Sequence, residues 1–136
     1  MTAIATQPIR TSDDALLRFL VRVDATLTSS VGLLLAASAD YMSGITGFTV
    51  VQEWIIGSAF VGYGLLLFVL ASVEDLRVIG TAVVAGNVIF TITAVVAVLA
   101  GAFALTGFGV AVTLATAAVT LILADLQYLG VRRISA

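Results

Sequence analysis

The 136-residue chain contains no cysteine, no histidine and no lysine. Without cysteine there are no disulfides, thiol nucleophiles or thiolate metal sites, and nothing to indicate a redox compartment. Without histidine there is neither an imidazole base nor an imidazole metal ligand. Charge is scarce as well. Six arginines and eight carboxylates make up 10% of the residues and leave a net charge of −2, where soluble domains are roughly a quarter charged. So acidic a chain lacks the basic footprint of a nucleic-acid binder, and nucleic acid is not an expected partner. There is no phosphate loop, no nucleophile placed beside a base and no cluster with metal-ligand spacing. The expectation is therefore a non-enzyme without cofactor or metal.

What the chain does have is apolar length. It is 61% hydrophobic, with a mean hydropathy of +1.20. A bilayer crossing takes about 20 such residues in a helix, and four stretches qualify, at approximately 15–39, 54–73, 78–100 and 109–130. None shows the two-residue alternation of a barrel strand, so each is read as a helix. The predicted fold is an all-α membrane protein, an antiparallel four-transmembrane-helix bundle forming one domain over 1–136. The beginning of the chain is polar or mixed, and Arg18, Arg22 and Asp24 interrupt the first apolar stretch. That pattern argues for a retained first span rather than a cleaved signal.

The arginines set the expected topology. Arg10, Arg18 and Arg22 lie near the start, Arg77 in the middle connection, and Arg132 and Arg133 at the end, whereas 40–53 and 101–109 contain none. Basic loops stay inside, which puts both termini and the Glu74–Arg77 turn on the cytoplasmic side of the cell inner membrane. Asp40–Thr49, with Gly44 and Gly47, is read as an outer loop, and Gln52, Glu53 and Trp54 as the outer interface. Small residues at Ser58 and Gly62, Ala82 and Gly86, and Ala111 and Ala115 suit close helix contacts. Ala82 and Gly86 also offer a face for a second copy.

Polar residues inside the spans are the candidate site. Counting from Arg18 as the inner boundary puts Asp24 roughly 9 Å deep, with Asp125 at a similar level and Asn87 at roughly 13 Å. Arg22, Gln127 and Tyr128 flank that layer. Charges buried in a bilayer seek partners, and the expected pair is Arg22 with Asp125, leaving Asp24 to Asn87 or Arg132. Such a layer either staples the helices or has Asp24 and Asp125 line a polar cavity open to the cytoplasm that binds a cation or relays protons. Arg10, Arg18, Arg132 and Arg133 form a collar for anionic lipid head groups or a partner subunit. Tyr63 reads as a core residue, and Thr113, Thr116 and Thr120 as hydroxyls bonding their own helix.

The strings LLRFLVRVDA (Leu16–Ala25), AVVAGNVIF (Ala82–Phe90) and ADLQYLGVRR (Ala124–Arg133) resemble a group of small integral membrane proteins of actinobacteria. The resemblance implies a four-span inner-membrane protein and brings no activity with it. It lays the group's polar positions on Arg22, Asp24, Asn87, Asp125 and Gln127. A likeness to small multidrug transporters rests on size, four spans and an acid in the first span. The complete arginine bias and the lack of a mid-membrane Glu depart from that pattern. The expected role is a structural or accessory component of a membrane assembly, in contact with lipid, other subunits or further copies of itself. The alternative is a small transporter or proton-linked carrier using Asp24 and Asp125.

The topology is tested by thiol labelling of intact cells. Cysteines at Ser43 and Thr106 are expected to react with an impermeant reagent added outside, and cysteines at Glu74 and Ser135 to stay unlabelled. Labelling of Ser135 would reverse the orientation.

Overall fold

Hydrophobicity without alternation becomes helix throughout. The computed structural model describes residues 12–135, and among them there is no strand. The elements are α1 (Ser12–Ala37), α2 (Ala39–Thr46), α3 (Val50–Leu70), α4 (Leu76–Leu99) and α5 (Gly107–Ser135). Four of these, all but α2, are long and apolar enough to cross a membrane. The protein is an all-α four-helix membrane bundle with one short extra helix.

That extra helix corrects the reading of 40–49 as loop. Glycine and hydroxyl residues suggested irregular backbone, yet Ala39–Thr46 is helical. Asp40 sits in its first turn, where the helix dipole favours an acid. Gly47 ends it at φ 88°, a left-handed conformation that glycine adopts without steric cost, and its N–H bonds the Ser43 carbonyl. The next helix starts at Val50 rather than Trp54. Thr49 caps it, with its hydroxyl accepting from Gln52 N at 3.2 Å and the Gln52 side chain accepting from Thr49 N at 2.9 Å. This reciprocal cap is the Thr-x-x-Gln capping box. At the other end of the bundle, Asp75 caps α4 by accepting from Arg77 N, and α5 continues past residue 130 to Ser135.

The four long helices pack as two pairs, α1 with α3 and α4 with α5. In lipid, close approach and hydrogen bonds hold helices together, because burial of apolar surface gives no advantage. The α1–α3 contact runs through Gly57 and Gly64, seven residues apart on one face. A Cβ on Gly57 would come within 2.6 Å of the Gly32 carbonyl oxygen, and one on Gly64 within 2.8 Å of the Ala25 carbonyl oxygen. The expected Ser58 and Gly62 pair instead faces outward, with open space beside Gly62. A heptad step kept Gly57 and Gly64 on the contact, whereas small-residue spacing alone could not say which face turns inward.

At the end where α1 begins and α5 finishes, the pairs meet in a packed core. Leu17, Val21 and Ala25 of α1, Leu67 of α3, Leu76 and Val83 of α4, and Val131 of α5 are buried there with Ala71. The opposite end is covered by α2. Its Thr46 carbonyl accepts from Thr106 N at 2.9 Å, and the Thr106 hydroxyl donates to the Ile45 carbonyl at 2.5 Å.

Gly57→Val should weaken the bundle by about 1–3 kcal/mol through overpacking, and Gly62→Val should change it by no more than about 0.5 kcal/mol. Equilibrium unfolding of the detergent-solubilised protein measures both. Equal losses would place the helix contact elsewhere.

Candidate functional site: a buried amide and carboxylate cluster beside a cavity

Three of the four long helices, α1, α4 and α5, present a polar residue on the same face as their core residues. Asp24 lies among Leu17, Val21 and Ala25, Asn87 follows Val83 by one helical turn, and Gln127 stands between Ala124 and Val131. Asp24, Asn87 and Gln127 are all buried, Gln127 completely.

The three side chains close a ring of hydrogen bonds. Asn87 Nδ2 donates to Asp24 Oδ2 at 2.7 Å and to Gln127 Oε1 at 3.0 Å. Gln127 Nε2 donates to the same Asp24 oxygen at 2.9 Å. The Thr28 hydroxyl donates to Asp24 Oδ1 at 3.1 Å, and the Tyr63 hydroxyl reaches Asn87 Oδ1 at 3.4 Å. Behind Asn87, the Thr91 hydroxyl bonds the Asn87 carbonyl at 2.9 Å and the Ala117 carbonyl at 3.3 Å, tying α4 to α5. Every donor to the carboxylate is neutral. Among the described residues no arginine forms an ion pair with Asp24, and the ion pair that does form joins Arg18 to Asp14 at 3.3 Å.

The cluster lies deeper than a count from Arg18 suggested. Asn87 stands eleven residues after Leu76 and twelve before Leu99, so each end of α4 is roughly 16–18 Å away at the rise of an α-helix. Asp24, in contact with Asn87, shares that mid-span level.

Arg22 and Asp125 do not join the cluster. Both are exposed on the outside of the bundle, and the expected ion pair between them is not formed. Residues two apart on a helix point to nearly opposite faces. With Asp24 and Gln127 turned inward, Arg22 and Asp125 must turn out. Tyr128 is likewise outward, with the Arg132 guanidinium 5.8 Å from its ring centroid.

The expected arginine collar also changes. Arg18 is buried and donates from Nη1 to the carbonyls of Ala71 and Val73, the latter at 3.2 Å. It thus bonds carbonyls of the turn that follows α3, near a helix C-terminus where a cation suits the dipole. Arg132 and Arg133 remain exposed in the last turn of α5. Arg10 lies outside the described residues.

Directly beside the Asp24 cluster is a cavity of about 570 Å³, walled by all four long helices. Asp24 and Asn87 form its polar side together with Thr28, Tyr63, Thr116 and Thr120, and apolar side chains form the rest. Phe60 of α3 and Phe90 of α4 also line it, in an edge-to-face pair 5.6 Å apart. Leu27, Val31 and Val119 line it and are exposed on the bundle surface. All three lie between the ends of their helices, which puts the exposed part of the cavity lining on the side of the bundle.

Sequence reasoning missed Glu53. Placed by its neighbour Trp54 at the interface, it is 1% exposed and accepts a hydrogen bond from the Thr46 hydroxyl. The same hydroxyl oxygen accepts from Phe48 N at 3.2 Å. The signal was the Thr49 and Gln52 capping box, which starts α3 early and puts Glu53 in its first turn against α2. No grouping of three or more acidic, His or Cys residues that could hold a metal occurs among the described residues. No protein-family model, curated protein or solved structure matches the chain.

The cluster predicts energetic coupling. Asn87→Leu should cost about 1–3 kcal/mol or more, since it strips donors from a buried carboxylate. Adding Asp24→Leu should restore part of that loss, with a coupling of about 1 kcal/mol or more, whereas Arg22→Ala and Asp125→Ala should add within about 0.5 kcal/mol. Unfolding of the four single and two double variants in micelles checks both cycles. Additivity at Asp24 and Asn87 would dissolve the cluster.

Proposed function

We propose that the protein is a membrane-embedded binding protein that takes a small, largely apolar molecule from the bilayer into its mid-span cavity. The observation that carries this reading is the cavity of about 570 Å³ between the two helix pairs, exposed on the side of the bundle and backed by the Asp24 cluster. That volume falls in the range of small-molecule sites, which are mainly apolar with a few fixed polar groups. A bundle that served only as a scaffold gains from closing such a space, because packing is what holds membrane helices together.

A structural or accessory component would have to work through the outward apolar surface. Acyl chains cover that surface as well as a partner subunit would, so it favours no partner. A carrier needs a site reached in turn from both sides. Here the core around Leu17 and Leu76 fills the bundle at one end, and α2 covers the other. This supports binding over passage, and no catalysis is proposed. The arginine distribution supports a cytoplasmic membrane location with both ends inside, which places Arg132 and Arg133 against anionic head groups.

The test uses adamantyl diazirine, a neutral photoreactive hydrocarbon, with the protein in phosphatidylcholine nanodiscs. Labelling is expected to saturate at cavity residues such as Tyr63, to be lost in Thr116→Phe, and to rise without saturation at outward Leu65. Non-saturable labelling at Tyr63 would overturn the reading.

A further inference from the structure

The cavity wall contains one charged side chain, Asp24. Its carboxylate is 2% exposed as a residue and is held by amides and a hydroxyl rather than by a cation. The acceptors are unevenly used. Oδ2 takes both amide donors, while Oδ1 takes the Thr28 hydroxyl alone. A carboxylate oxygen accepts two hydrogen bonds, so Oδ1 of this cavity-lining residue retains capacity. The rings of Phe60, Phe90 and Tyr63 share that cavity, and aromatic faces attract cations most strongly where water is absent.

Building on the binding role proposed above, we propose that the molecule held in the cavity carries a single positive charge, an ammonium group on an apolar body. Its charge lies against Asp24 and the aromatic rings, and its body fills the apolar remainder. An anion would meet a carboxylate with no basic residue beside it. A hard metal ion takes six or more oxygen ligands, and here one carboxylate is already engaged by three donors. A lipid head group is excluded by depth, since Asn87, bonded to Asp24, sits roughly 16 Å from the nearer end of α4. A neutral apolar guest would leave the spare acceptor of Asp24 Oδ1 unused.

The test compares hexyltrimethylammonium with its carbon isostere, 2,2-dimethyloctane, as competitors of adamantyl diazirine labelling in phosphatidylcholine nanodiscs. Concentrations are expressed as membrane concentrations, from partitioning into protein-free discs. In the wild-type protein the cation is expected to halve labelling at a level at least about tenfold below the isostere, a preference of about 1.4 kcal/mol. Asp24→Asn should bring the two competitors within about twofold, and Tyr63→Leu should reduce the preference without abolishing it. If the isostere competes as well as the cation in wild-type discs, the charge assignment is wrong while the binding role stands. That comparison needs no variant to fold. If wild-type labelling is not saturable, the binding role fails and the charge assignment falls with it.

Discussion

An acid held by neutral donors in the middle of an apolar bundle is the constraint on which the rest of this structure turns. Unsatisfied polar groups are costly away from water, so Asp24, Asn87 and Gln127 must arrive at one point from three helices. Apolar side chains in lipid tolerate many rotations of a helix about its axis. A ring of hydrogen bonds tolerates few. The cluster therefore fixes the facing of α1, α4 and α5, and with it which side chains are left to wall the cavity.

The α1–α3 contact is of a different kind. It depends on the absence of side chains at Gly57 and Gly64, and it is held at one end by Arg18, which reaches across to carbonyls of the turn after α3. The two pairs meet at one end in the Leu17 core and at the other through Thr106, which bonds the carbonyls of Ile45 and Thr46. Between α3 and α4 at mid-span, the Phe60–Phe90 contact and the Tyr63–Asn87 hydrogen bond bridge the gap.

The class of the protein and its four long helices were legible because span length and charge content are properties of composition along the chain. The residues of the cluster were legible in part, because a shared level follows from counting along helices, although the count from Arg18 set that level too shallow. Facing did not follow. Helices that are apolar all round have no polar side to mark what turns outward, so Arg22 and Asp125 looked as available as Asp24 and Gln127. Two-residue spacing forbids both members of each couple from facing inward, and only the fold decides which one does. Glu53 was misplaced for a local reason, a capping box read too late, and α2 because its glycines mark its end rather than a loop. The cavity arises between helices distant in sequence and left no trace in any one of them.

The short α2 makes α1 and α3 near neighbours in the chain, and α4 and α5 are joined directly. The bundle is thus two hairpins in succession, each bringing together the helices that pack most extensively. As the chain enters the membrane, the first hairpin can close on its glycines before the second exists. Asp24, however, then has only Thr28 from its own hairpin, because Asn87 and Gln127 belong to the second. The carboxylate is a set of bonds the first half cannot complete by itself, so the two hairpins depend on each other for the polar centre of the bundle.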